Sequence, residues 1–263
     1  MLPKLDEIKL NCAEELFKAE NKVKEISPLT ERYEHLTIKD AYDIQLKIAE
    51  WKENQGKKII GKKVGLTSQA MQDMLGVNEP DYGHLFDDMQ VKNKSVIDTT
   101  TMIAPKVEAE IGFKLKKDLI GPGITYLDVI MATDYVLPTL EIIDSRIADW
   151  DIKLIDTVAD NGSSSKVVLG RGQKPLNEID LRTNGMVLKK NNEIVATGAG
   201  AAALGNPAKA IAWLANRLSD YGISLKKEEL ILPGALSGAL AVNSGEMIQA
   251  DFGSLGDVEV TFQ

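Results

Sequence analysis

Glu108, Glu110 and Glu141 are the residues whose type and placement most directly suggest chemistry. The segment from Pro105 to Phe113 reads as a strand, because Val107, Ala109, Ile111 and Phe113 are apolar at alternate positions. Side chains two apart on a strand share a face, so Glu108 and Glu110 point the same way, with like charges roughly 7 Å apart along the chain. Such a pair is unfavourable unless a cation or water lies between the carboxylates. Glu141 falls in the apolar run from Tyr135 to Ile143, where an unpaired carboxylate is costly to bury. Three oxygen ligands with positions left for water and substrate suit Mg²⁺ or Mn²⁺. From spacing alone the plainer alternative stays open: Glu108 and Glu110 lining a solvated strand face.

Other groups carry weaker signals. Lys62 and Lys63 lie on a strand-like, glycine-flanked segment, Lys58 to Leu66, and so face opposite sides. One is expected in solvent; the other is a candidate cation for a site, able to hold a carboxylate or move a proton. Asp81 belongs to Pro80-Asp81-Tyr82-Gly83, which reads as a turn, where Asp is common for backbone reasons. His84 and His35 are isolated histidines in loop-like surroundings, most simply neither bases nor ligands. Asp156 to Ser165 is dense in small polar groups and reads as a capped loop or as a wall for a carboxylate. Gly198-Ala199-Gly200 departs from a dinucleotide fingerprint and sits in no βαβ unit, which argues against nucleotide binding.

The elements that position these residues follow from pattern. Residues 4–25 have apolar positions at helical spacing. Thr37 caps a second helix, with Asp40 in its first turn, running through Ile44 and Ile48 to about Asn54. Thr67 or Ser68 caps a short helix from Gln69 to about Leu75. Further on, short apolar runs are separated by Gly, Asn, Asp and Pro, with a tight hairpin at Lys189 to Ile194. Asn206, Pro207 and the apolar series Ala210, Ile211, Leu214 and Leu218 mark one more helix, stopped at Gly222. Regular βα alternation is missing, which argues against a doubly wound sheet. The reading is α+β: a small helical part over residues 1–57 on a larger mixed-β body over residues 58–263.

Composition narrows the function classes. The 263 residues are 44% hydrophobic, enough for one large domain or two small ones. Lys and Arg number 31 against 39 Asp and Glu, for a net charge of −8, without a basic block for nucleic acid. The single cysteine, Cys12, excludes an intrachain disulfide and a cysteine zinc cage, and its helical surroundings suit a buried thiol rather than a nucleophile. The charged start, Met1 to Glu7, lacks an apolar leader core, and no apolar run reaches membrane-spanning length. A cytoplasmic location is expected.

Taken together, Gly61-Lys62-Lys63-Val64-Gly65-Leu66-Thr67-Ser68, Leu75-Gly76-Val77 and Pro80-Asp81-Tyr82-Gly83 closely resemble the 2-hydroxypenta-2,4-dienoate (2-keto-4-pentenoate) hydratases. So do Glu108-Ala109-Glu110-Ile111, the stretch from Leu140 to Ile147, and Asp149-Trp150 through Asp160-Asn161. The likeness runs from about Ser27 to Phe262. It implies a fumarylacetoacetate hydrolase-like mixed-β body, a divalent metal (Mg²⁺ or Mn²⁺) on Glu108, Glu110 and Glu141, and a homo-oligomer. It further implies Lys63 and Asp81 as catalytic groups and Leu66, Thr67 and Ser163 as substrate contacts.

The 4-oxalocrotonate (2-oxo-3-hexenedioate) decarboxylases are similar too, but carry an apolar residue at the position matching Asp81. A decarboxylase needs no base to deliver water, so Asp81 points to hydration. Pro80 to Gly83 also resembles the 2-oxohept-4-ene-1,7-dioate hydratases. A non-catalytic partner in a hydratase–decarboxylase assembly is the alternative of another class, and association with a pathway decarboxylase or aldolase is implied for the enzyme itself. Two departures stand out: Pro233 replaces a frequent hydroxyl residue, and Gly162 replaces a common Ala, the latter expected to matter little.

Overall fold

Alternating apolar residues around the glutamates produce two long strands at the centre of the larger sheet. The computed structural model describes residues 4–263; Met1–Pro3, part of the charged start, lie outside it. Along the chain the strands are β1 (Ile59–Gly65), β2 (Asp81–Phe86), β3 (Gln90–Lys92), β4 (Val96–Ile97), β5 (Lys106–Leu115), β6 (Thr133–Ile143) and β7 (Ser164–Leu169). β8 (Gly185–Lys190), β9 (Glu193–Ala199), β10 (Leu230–Leu232), β11 (Leu240–Ala241), β12 (Met247–Asp251) and β13 (Asp257–Phe262) follow. The helices are α1 (Leu5–Lys22), α2 (Leu29–Arg32), α3 (Ile38–Asn54), α4 (Gln69–Leu75), α5 (Tyr126–Ala132), α6 (Leu154–Ala159) and α7 (Pro207–Ser219).

One sheet has the order β2-β1-β10-β5-β6-β7-β3, with β11 also on β5; the other has the order β4-β13-β12-β8-β9. β5 and β6 pair antiparallel from Lys106↔Ile143 to Leu115↔Thr133, which sets Glu108 directly across from Glu141. Most pairings are antiparallel; β1–β10, β3–β7 and β4–β13 are parallel. The hairpin at β8–β9 turns through Asn191 and Asn192, both left-handed at φ 52° and 69°, as a tight hairpin turn demands.

The helix signals hold in detail. Thr37 Oγ1 accepts from the Asp40 N–H while Asp40 Oδ2 accepts from the Thr37 N–H at 2.9 Å, a reciprocal cap on α3. Ser68, rather than Thr67, caps α4. Asn206 Oδ1 accepts from the Ala208 N–H at 3.0 Å, with Pro207 at the first helical position. α1 ends short of the expected residue 25, at a left-handed Val23. Buried residues of α1 and α3, such as Leu16 and Ile44, share one apolar cluster with Ile111 and Leu140 of the large sheet. Cys12 is fully buried within it, and burial pushes its thiol up to about 11, where it is inert. No described helix is long and apolar enough to cross a membrane.

Three expectations are corrected. Pro80 to Gly83 is no turn: Asp81 opens β2, a strand buried along its whole length and paired with β1 from Gly65↔Asp81 to Ile59↔Phe86. Six residues of cross-strand pairing override the turn-like composition. His84 lies on that strand too, not in a loop. Nor does either of the paired lysines face solvent: Lys62 is 2% exposed and Lys63 4%, because Lys62 meets Glu229 at 2.7 Å on the opposite face.

Candidate metal centre and active-site cleft

β5, β6 and β1 bring the chemistry together. Carboxylate oxygens of Glu108, Glu110 and Glu141 all lie within 4.8 Å of one another. Cross-strand like charges at that distance repel, and little of the protein relieves them. Glu110 Oε2 accepts from the Gly234 N–H at 2.7 Å. Glu110 Oε1 and both oxygens of Glu141 are buried without a hydrogen-bond partner. The nearest cation is Lys63, with Nζ 3.7 Å from Glu141 Oε1. Burial, then the neighbouring carboxylates, push Glu108 up to about 7 and Glu110 well above the ordinary carboxylate range. Burial raises Glu141 as well, against the pull of Lys63. Orphaned, clustered oxygens with no nitrogen or sulfur among them fit a hard divalent cation.

Lys63 stands beside this cluster in a slot cut by two glycines. A Cβ on Gly162 would fall 2.5 Å from Lys63 Cε, and one on Gly65 would fall 3.4 Å from Lys63 Nζ. Burial alone would neutralise the amine, but Glu141, Asp81, Glu108 and Glu110 outweigh it and hold Lys63 protonated. The substitution of Gly for Ala at 162 is therefore not minor in space, because an alanine there would press on the lysine stem.

Asp81 shares the slot. A Cβ on Gly65 would lie 2.1 Å from Asp81 Oδ1. Thr157 donates to Asp81 Oδ2 at 3.4 Å, while Oδ1 is buried without a partner. Burial raises the Asp81 carboxyl, and Lys63 holds it down. All these groups except Glu110 and Glu141 line one cleft of about 640 Å³.

The three residues expected as substrate contacts also reach this cleft. Leu66 is left-handed at φ 55°, and its carbonyl accepts from Gln72 Nε2 at 2.8 Å. Thr67 is buried against Gly234, where a Cβ would strike its Oγ1 at 2.0 Å. Ser163 is more constrained: its hydroxyl donates to Asp160 Oδ2 at 3.1 Å and its N–H to the Asp160 carbonyl. Pro233 itself offers no hydroxyl; the N–H of the next residue, Gly234, supplies a polar contact to Glu110.

Several further residues support the site, in roles that the sequence did not assign them. Asn161 staples its turn to β2, accepting from the His84 N–H at 2.7 Å and donating to the His84 carbonyl at 2.9 Å. Arg146 binds Asp160 behind Ser163. His84 meets Gln45 Oε1 at 3.1 Å through Nδ1 and faces away from the glutamates. Lys106 and Trp150 line the outer cleft. The period-two spacing of Lys106, Glu108 and Glu110 is the signal that places Lys106 on the glutamate face.

No protein-family model matches the chain. It is 44% identical over 252 residues to a 2-keto-4-pentenoate hydratase of Paraburkholderia xenovorans (strain LB400), covering 96% of this chain and 94% of that one. Among solved structures, 4-oxalocrotonate decarboxylase from Pseudomonas putida G7, complexed with magnesium and adipate, superposes with a TM-score of 0.96 at 41% identity, over 99% of each chain. A putative fumarylacetoacetate hydrolase family protein from Yersinia pestis CO92 matches at a TM-score of 0.58 and 15% identity, over 78% of this chain and 94% of that one, a likeness of fold alone. With Glu108, Lys63 and Asp81 lining one cleft and Glu110 and Glu141 clustered behind Glu108, the chain belongs to the 2-keto-4-pentenoate hydratase/4-oxalocrotonate decarboxylase family, on the fumarylacetoacetate hydrolase-like fold.

Proposed function

We propose that this chain is a metal-dependent hydro-lyase that adds water to 2-hydroxypenta-2,4-dienoate, giving 4-hydroxy-2-oxopentanoate in aromatic meta-cleavage catabolism. The observation that carries the reading is the unpartnered Asp81 Oδ1 in the same cleft as Lys63 and Glu108 of the glutamate cluster. Glu108, Glu110 and Glu141 would hold a divalent ion, Mg²⁺ or Mn²⁺; the decarboxylase relative at 41% identity is complexed with magnesium. Bound there, the ion would polarise the 2-oxo-acid head and offset enolate charge.

The chain's own residues divide the remaining work. Lys63, protonated and buried, holds the substrate's carboxylate or 2-oxygen and is the proton carrier of the site. The 2-hydroxyl gives up its proton as C5 gains one, which converts the dienol to an α,β-unsaturated ketone. Asp81 Oδ1 takes a proton from water and directs the oxygen to C4; Thr157 holds the other carboxylate oxygen in place. Protonation at C3 completes the product. Leu66 and Thr67 form the wall against which the head group sits, and Ser163 is its polar neighbour. A homo-oligomer in the cytoplasm, in contact with a pathway decarboxylase or aldolase, completes the reading.

Asp81→Asn tests it. The variant keeps the side-chain shape and the metal-induced rise in melting temperature but loses roughly 10²–10⁴ in hydration rate, the usual worth of a general base. Near-normal turnover removes Asp81 from the mechanism and moves the chain toward the decarboxylases.

A further inference from the structure

Gln45 is a buried amide in the middle of α3, within the helical part of the chain. Its Nε2 donates to the Tyr82 carbonyl at 2.9 Å and to the Val158 carbonyl at 2.7 Å. Tyr82 follows Asp81 on β2, and Val158 follows Thr157 on α6. One amide therefore ties together the two backbones from which the Asp81 carboxylate and the Thr157 hydroxyl meet.

The fold explains why a side chain takes this place. β2 is an edge strand of the large sheet, with β1 on one side, so backbone groups on its other side need partners from outside the sheet once they are buried. Gln45 serves Tyr82, and Asn161 serves His84. Tyr42, one turn before Gln45 on α3, stacks on Tyr82 with 4.5 Å between ring centres, which seats the helix against the strand. The orientation of the amide is fixed as well. Both of its hydrogens are committed to carbonyls, so its oxygen is left to accept from His84 Nδ1 at 3.1 Å. Burial keeps the His84 ring neutral, with its hydrogen on Nδ1.

The contact that depends on this tie has little slack. Thr157 reaches Asp81 Oδ2 at 3.4 Å, near the outer limit of a hydrogen bond, so a small further separation of β2 and α6 releases the carboxylate. Gln45 makes none of these bonds to β5 or β6, which carry the glutamates. We propose that Gln45 is a positioning residue for water delivery. It acts through Asp81, holding β2 and α6 at the separation that aims Asp81 Oδ1 at the attacking water and keeps Thr157 on Oδ2. The assignment rests on Asp81 as the base of the hydration.

The test is a double-mutant cycle with Asp81→Asn, read as kcat for hydration of 2-hydroxypenta-2,4-dienoate by the Mg²⁺-loaded protein. Gln45→Met fills a similar volume and removes both donors. Alone it lowers kcat roughly ten- to hundredfold, the effect of displacing a reacting group by up to about 1 Å. In the Asp81→Asn background it costs less than about twofold, because the group it positions is already disabled. Calorimetric affinity for unreactive 2-oxopentanoate stays within about twofold of the wild type, since the glutamates that hold the head group stand on other strands. Equal cost in both backgrounds, wild-type kcat in Gln45→Met, or 2-oxopentanoate binding that falls in step with kcat overturns the positioning role and leaves the hydratase reading standing. If Gln45→Met does not fold, Gln45→Glu carries the same cycle with the same outcomes, because its carboxyl, protonated when buried, returns one of the two donors. Full turnover by Asp81→Asn itself overturns the hydration reading, and the role of Gln45 with it.

Discussion

Glu110→Gln separates two roles of the glutamate cluster: a burden on the metal-free fold and a ligand set for the metal. The amide keeps the side chain's shape and can still accept from the Gly234 N–H through its oxygen. It removes one charge from three groups whose oxygens lie within 4.8 Å. Two full charges at 4.8 Å repel by about 3.5 kcal/mol at an effective dielectric of 20. Burial already pushes Glu110 well above the ordinary range, so protonation relieves part of this. The gain on substitution is then on the order of 1–3 kcal/mol, a melting temperature higher by roughly 2–12 °C for a chain of this size. The wild type responds to metal instead: an ion at a hundred times its Kd adds about 2.7 kcal/mol, or roughly 5–11 °C. Scanning calorimetry with chelator and then with excess Mg²⁺ reads both effects. In chelator the variant melts above the wild type, and in Mg²⁺ it gains little. A variant that melts below the wild type in chelator and still gains the full metal shift refutes the repulsion argument and the ligand assignment together.

Two further substitutions probe the surroundings of the cluster. Gly65→Ala puts a methyl 2.1 Å from Asp81 Oδ1; turnover should fall at least about tenfold while the metal-induced melting shift stays, and unchanged kcat would show that Asp81 has room to spare. His84 is pushed down to about 3 from 6.5 by burial and then by Lys62, so the unfolded chain takes up a proton that the folded chain refuses. Stability is therefore complete above pH 6.5 and is lost as pH falls toward 3, by about 1.4 kcal/mol per unit for this one group. Denaturant titrations between pH 7 and 4.5 should show a shallower slope for His84→Gln; identical slopes would mean that the histidine is protonated in the fold.

The sequence was legible where local pattern and tertiary role coincide. Thr37 with Asp40, and Asn206 with Pro207, announce their helices because a cap is satisfied within its own turn. Val107 to Phe113 announces β5 because one face of that strand is continuously apolar. The metal-site carboxylates were legible as a same-face pair plus one more; that Glu141 faces Glu108 is a matter of register between strands, which spacing within either strand does not contain. Asp81 was misplaced for a related reason. Pro80-Asp81-Tyr82-Gly83 is turn-like locally, and pairing with β1 decides otherwise. One of the two lysines was expected in solvent; neither is, because the partner of Lys62, Glu229, is remote in sequence and invisible to local pattern. The same distance hides Gln45 behind His84. Gly162 was expected to matter little, yet at Gly65 and Gly162 the absence of a side chain makes room for Lys63 and Asp81.

The most direct measurement follows metal-stripped protein with 2-hydroxypenta-2,4-dienoate, before and after Mg²⁺ or Mn²⁺ is added, with products read by mass. Gain of one water that appears only with metal is the expected result. Turnover at full rate in chelator, or loss of carbon dioxide from a six-carbon dicarboxylate with no hydration of the dienoate, contradicts a metal-dependent hydratase.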